Sequence, residues 1–140
     1  MSDLDTLFER IAAGEIPSHR VYEDQHVFAF LDINPLSRGH TLVIPKKRYV
    51  KLDELPEDVA VALGKALPRI AKAVITATGA TAYNVLQNNG RPAGQAIPHV
   101  HFHIIPKYAD GSGLPHSWPA RSLDKEQAPK LAQAIAQHLS

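Results

Sequence analysis

Between Pro98 and Pro106, histidine stands at every second position and the residues between are apolar: His99-Val100-His101-Phe102-His103-Ile104. A two-residue period is that of an extended strand, whose successive side chains point to opposite faces. The spacing predicts a strand over His99–Pro106. His99, His101 and His103 would share one face at intervals of roughly 6.6 Å, while Val100, Phe102 and Ile104 would face a core. The chain must therefore fold around a sheet with imidazoles in a row on one face. A single histidine is commonly a packed core residue; three with this period are poorly explained by packing alone.

The remaining sequence supplies such a sheet. Leu4, Leu7, Phe8 and Ile11 recur at helical spacing and Gly14 follows, which predicts a short helix over Asp5–Ala13. Val21-Tyr22 and Val27 to Leu31 flank Glu23-Asp24-Gln25-His26 as two arms of a hairpin. Thr41 to Ile44 reads as a third strand stopped by Pro45, and Ala82 to Gln87 as a fourth. Val59, Leu63, Leu67, Ile70, Val74 and Ile75 mark a long helix over Glu57–Thr78, in which Pro68 is expected to cause a kink or a break. Their number looks greater than one small sheet can cover. After a polar stretch from Ala109 to Pro119, an amphipathic helix is expected over Leu123–Leu139. Hairpin-joined strands interrupted by one long helix define an α+β domain with an antiparallel sheet, here read as one domain over residues 1–140.

Charge and composition narrow the partners. Fifteen Lys and Arg against 14 Asp and Glu give a net charge of +1, so no general field draws nucleic acid or an anionic membrane. Without cysteine, disulfides and thiolate metal sites are excluded. No apolar run approaches the roughly 20 residues a membrane helix needs. The acidic start Ser2-Asp3-Leu4-Asp5 lacks the apolar region of a signal peptide, so a cytoplasmic location is expected.

Two chemistries compete for three imidazoles on one face. Imidazole is a common metal ligand, but catalytic metal sites usually add carboxylates or thiolates. Asp110 is the single acid between Val59 and Leu123, and there is no cysteine. That poverty favours an anionic substrate, toward which one neutral imidazole attacks while its neighbours donate protons. The glycine- and amide-rich loop Asn88-Asn89-Gly90-Arg91-Pro92-Ala93-Gly94-Gln95, just before the histidines, is a plausible phosphate cradle.

The alternating histidines, together with Gly14-Glu15-Ile16-Pro17, Phe28 to Pro35, Gly39 to Lys47 and Gln87 to Gln95, resemble the histidine-triad (HIT) superfamily in order and spacing over about residues 5–108. The resemblance implies a five-stranded antiparallel sheet with flanking helices, paired into a homodimer around the long helix and fourth strand. It implies a nucleotide hydrolase or transferase that cleaves nucleoside 5′-phosphate derivatives: dinucleoside polyphosphates, phosphoramidates or acyl nucleotides. A purine nucleotide or dinucleotide would be the substrate. His101 would be the nucleophile forming a nucleotidyl-histidine intermediate, with His99, His103 and His40 tuning it. Asp32 matches the ribose-binding position and Ile33 the base pocket; Asn88, Gly94 and Gln95 match positions near the phosphate and leaving group. Taken alone, Asp32 before Asn34-Pro35 reads more readily as a turn or cap residue. A nucleotide-binding regulatory module with incidental turnover is the reading from another class.

Two departures from that pattern carry expectations. Where many bacterial members hold a structural zinc on a Cys-x-x-Cys pair and a histidine, this chain has Thr6, Glu9 and Arg48, so no metal and no cofactor are expected. Where phosphoramidases commonly carry a serine or threonine three residues before the first triad histidine, it has Ala96. An amine leaving group should therefore be helped less than a stabilised anion.

Overall fold

The computed structural model describes residues 2–139. Its elements, in chain order, are α1 (Asp3–Ala12), β1 (Arg20–Glu23), β2 (Val27–Leu31), β3 (Thr41–Pro45), α2 (Glu57–Thr78), β4 (Ala82–Gln87), β5 (Phe102–Lys107) and α3 (Ala128–Gln137), with single 3₁₀ turns at Leu52–Glu54 and Arg91–Ala93. The strands form one five-stranded sheet in the order β1-β2-β3-β5-β4, and every neighbouring pair is antiparallel. The α+β architecture is the one expected.

Local chemistry sets the connections. The β1–β2 turn is closed by Asp24, whose Oδ1 accepts the N–H groups of His26 and Val27, each at 2.8 Å. Before β3, Gly39 has φ +92°, and a Cβ there would lie 2.7 Å from Thr78 Cγ2. The loop thus presses against the end of α2 immediately before His40.

The centre of the sheet is covered on both faces, which is why β2 and β3 are apolar apart from Thr41. Val27, Ala29, Val43 and Ile104 face α2, where they meet Val59, Leu63, Ile70 and Val74. Phe28, Phe30, Leu42 and Ile44 face the other way and pack against Phe8 and Ile11 of α1. The sheet buries most of α2's apolar residues, so the expected surplus on that helix is not found; Val61 alone of its valines is more than half exposed, at 53%.

Three further expectations need correction. Pro68 does not divide α2, which runs unbroken from Glu57 to Thr78. The carbonyl that loses its N–H partner belongs to Gly64, and both Gly64 and Pro68 are exposed, so the missing bond lies on the solvent side of the helix. β5 begins at Phe102, not at His99. Extending the register Val43↔Phe102 places Pro45 opposite Val100, and a proline has no N–H for the ladder. The freed backbone is satisfied locally instead: Val100 N–H donates to Tyr49 O at 2.7 Å and His99 N–H to Ile97 O at 2.8 Å. Finally, α3 is shorter than Leu123–Leu139 and buries none of its residues. No described helix is long and apolar enough to cross a membrane.

Candidate active site

Although only His103 lies on β5, the three histidines stay on the α1 face. His101 and His103 have ring centroids 5.0 Å apart, and Phe8 of α1 meets His101 at 5.2 Å and His99 at 5.5 Å, edge to face. Phe8 removes water from both rings. Nothing in the sequence marks this role beyond Phe8's place on the apolar stripe of a helix.

Backbone partners fix the ring protons. A carbonyl oxygen can only accept, so His99 donates Nε2–H to Pro45 O at 2.7 Å and His101 donates Nδ1–H to the His99 carbonyl at 2.7 Å. That leaves His101 Nε2 with a lone pair. His40 is fixed in the opposite sense. The Leu36 N–H donates to His40 Nδ1 at 3.0 Å, so the proton of neutral His40 sits on Nε2, from which it reaches His103 Nδ1 at 2.9 Å. His103 must then carry its proton on Nε2. Neighbouring rings therefore present opposite functions, a lone pair on His101 and an N–H on His103.

Burial keeps all four rings neutral. His99 is fully buried, and desolvation pushes its pKa down to about 4 against smaller opposing effects of the Pro45 carbonyl and Glu9. His103 is also pushed down to about 4, by burial and then by the neighbouring His101 and His40. His101 is lowered by burial, opposed by its bond to the His99 carbonyl and by Asp32; His40 is lowered by burial, opposed by Asp32. An imidazole that attacks must be unprotonated, and this environment makes it so below neutral pH.

His101 and His103 open on a cavity of about 390 Å³, also lined by Phe8, Phe30, Asp32, Ile33, Ala96 and Ile97. Its volume and largely apolar walls suit a small organic ligand. Asp32 closes the turn read from the sequence and also lines the cavity. Oδ1 accepts the Asn34 N–H at 2.8 Å, closing the turn, and Oδ2 stands 3.5 Å from His40 Nε2 beside the cavity. Ile33 is 82% exposed at the rim, an apolar surface without a protein partner to cover it. A larger cavity of about 550 Å³ lies beyond Ile11 and Ile16, but it carries no histidine.

The loop before the triad is placed differently from the expectation. Asn88, Gly94 and Gln95 do not line the histidine cavity. Gln95 is buried, and both ends of its amide are occupied: Oε1 accepts Gly90 N–H at 2.7 Å and Nε2 donates to Val50 O at 2.6 Å. It positions the loop and lines a neighbouring cavity instead, with one further acceptor site on Oε1 and one further N–H on Nε2. Gly94 has φ +98° and lies against Asn88, whose Nδ2 would be 3.2 Å from a Cβ at position 94.

The residues that stand in place of the family's zinc ligands do not fit a metal. At the zinc position implied by resemblance, the Arg48 guanidinium has no lone pair; it donates from Nε to Pro98 O at 3.0 Å and faces Asp5 at 3.8 Å. Asp32, His40 and His103 bring ligand atoms within 4.8 Å of one another. To ligate through Nε2, however, His40 would have to move its proton to Nδ1 and break the bond from Leu36.

Fold and site together define a small α+β domain that brings a neutral imidazole lone pair and an imidazole N–H to one ligand cavity. The family follows from comparison: residues 13–110 match the HIT domain model, and the chain belongs to the HIT family. It is 43% identical over 133 residues to the adenosine 5′-monophosphoramidase of Saccharomyces cerevisiae, covering 95% of this chain and 82% of that protein. It is 43% identical over 141 residues to an adenylylsulfatase of Arabidopsis thaliana, covering 96% and 70%. The crystal structure of a HIT family protein from Bacillus subtilis superposes with a TM-score of 0.90 at 40% identity, covering 96% of each chain.

Proposed function

We propose that the protein is a nucleotide hydrolase that releases a nucleoside 5′-monophosphate from an activated leaving group, through a nucleotide held covalently on His101. The observation that carries this reading is the pair of opposite tautomers at one cavity: a lone pair on His101 Nε2 and a proton on His103 Nε2. The relatives named for hydrolysis of adenosine phosphoramidate and adenylyl sulfate support the same class of substrate.

In this reading Ile33 and the apolar wall hold the base, and Asp32 accepts from the ribose hydroxyls. His101 Nε2 attacks the α-phosphorus, the bond to the leaving group breaks, and the leaving group departs with the electron pair. The His99 carbonyl, accepting Nδ1–H at 2.7 Å, stabilises the positive charge that grows on the ring. His103 Nε2–H bonds a phosphate oxygen, and His40 holds that proton in place. Water then attacks phosphorus and gives up a proton to solvent, the P–N bond breaks, and the lone pair returns to His101. Dividing the transfer replaces one hard step by two easier ones.

No step requires a metal. Purified protein treated with a chelator should release AMP from adenosine phosphoramidate, adenylyl sulfate or a dinucleoside polyphosphate at an unchanged rate, and elemental analysis should find well under one zinc per chain. Absence of AMP release from all three would refute the hydrolase reading and favour a nucleotide-binding regulator. Stoichiometric zinc would refute the metal-free one.

We also infer a homodimer, now resting on the sheet edge. β4 pairs with β5 alone, and its Tyr83 and Val85 are 46% and 52% exposed. Light scattering at micromolar concentration should give the mass of two chains; a monomeric mass would contradict it.

A further inference from the structure

Beside the histidine cavity lies a second one of about 380 Å³, formed where the start of α1, the Val50-Lys51 segment and the Gly90-Arg91-Pro92 turn meet. Ala96 lines both cavities, and its methyl group is the smallest side chain that could stand at their junction without the freedom of glycine. Lys51 and Arg91 line the second cavity, and among the described residues neither has an ion-pair partner. Asp5, its one carboxylate, is turned to other contacts: Oδ2 accepts the Ser2 N–H at 2.9 Å and Oδ1 faces Arg48.

These two cations stand on backbone that is tied down. Gln95 joins Gly90 N–H to Val50 O, the residues next to Arg91 and Lys51 respectively. On the other side of Lys51, Leu52 N–H donates to Asn89 Oδ1 at 2.8 Å, and Asn89 is itself held by Gln87 at 2.6 Å. Lys51 is therefore tethered at both neighbours to the loop that carries Arg91. An exposed lysine and arginine on separate loops would ordinarily contribute little. Carried on tethered backbone at the walls of one cleft, they raise the positive potential where a chain of phosphates would lie.

We propose that this cavity is a leaving-group subsite for polyphosphate, with Lys51 and Arg91 as its charge and Ala96 as the open passage from the reacting phosphorus. The inference rests on the hydrolase reading above and names its substrate class. In the step it serves, the His101 Nε2–phosphorus bond forms and the bond from the α-phosphorus to the bridging oxygen breaks. That oxygen leaves with its electron pair as the terminus of the polyphosphate, whose negative charge rises, and the two cations meet it. An amine leaving group gains nothing from them.

The test compares the unaltered protein with K51A/R91A on a dinucleoside polyphosphate and on adenosine phosphoramidate. The ratio of kcat/KM for the first substrate to the second should fall about tenfold or more in the variant. In the unaltered protein the ratio should also fall as salt rises, a dependence the variant should lack. Lys51→Arg should keep the ratio. Calorimetry with inorganic tripolyphosphate, in the presence of AMP, should show binding that weakens about tenfold or more in the variant. An unchanged ratio with equal tripolyphosphate binding would overturn the subsite and leave the hydrolase reading intact. Charge-dependent tripolyphosphate binding without turnover of either substrate would overturn the hydrolase reading, and with it the leaving-group role, and leave the cavity a polyphosphate-binding site.

Discussion

Replacing His101 by alanine should lower kcat by at least about 10³-fold, while AMP still binds within about tenfold of normal, or about 1.4 kcal/mol. The two effects separate because His101 supplies a bond in the transition state, whereas Asp32, Ile33 and the cavity walls supply contacts that exist already in the ground state. His101 is buried against Phe8, so truncation also leaves a void. His101→Gln retains more of the volume and should be as inactive, with a smaller loss of thermal stability. Turnover, AMP affinity by calorimetry and the melting temperature of both variants distinguish a lost nucleophile from a lost fold. Turnover within a few-fold of normal in a folded variant would remove His101 from the chemistry.

The second large effect concerns acid. In the unfolded chain histidine titrates near 6.5, whereas His99 and His103 in the folded protein do so at about 4. Above pH 6.5 both states hold these rings neutral and stability is complete. As pH falls from 6.5 toward 4, the unfolded chain takes up protons the folded one refuses, so stability falls with it. For His99 alone the loss between pH 7.5 and 5 is about 2 kcal/mol. His40 and His101, lowered in the same direction, add to it. The urea midpoint should drop steadily from pH 7.5 to about 5, above the range where most carboxylates titrate. NMR should show the His99 ring still neutral at pH 5. A midpoint that stays flat, or a His99 ring titrating near 6.5, would contradict the burial argument.

Much of this was legible in the residues. Periods of two and of three to four carried the five strands and α2, because one face of each must be apolar to be buried. What the sequence could not carry were contacts between distant backbone groups. Nothing local says that β5 starts only at Phe102 because Pro45 falls opposite Val100 in the extended register, or that Tyr49 O takes the Val100 N–H. The histidine row announced a reactive face, but the division of labour within it depends on single atoms: the Leu36 N–H and the carbonyls of Pro45 and His99. Residue types cannot reveal a tautomer. Pro68 misled because proline's cost in a helix depends on whether the stranded carbonyl meets water, and exposure is a tertiary fact. That the Gln95 amide ties Gly90 to Val50 is likewise a contact between distant backbone groups. The C-terminal pattern overestimated α3 because its amphipathic stripe finds no surface within the described chain to bury against.

The central claim is a covalent nucleotide on His101, and rapid-quench mass spectrometry tests it most directly. Protein mixed briefly with substrate and digested at alkaline pH should carry one nucleotidyl group on the peptide containing His101, labile to acid and stable to base as a P–N bond requires. The group should be absent from His101→Ala. Turnover without any such adduct, or an adduct on another residue, would contradict the account.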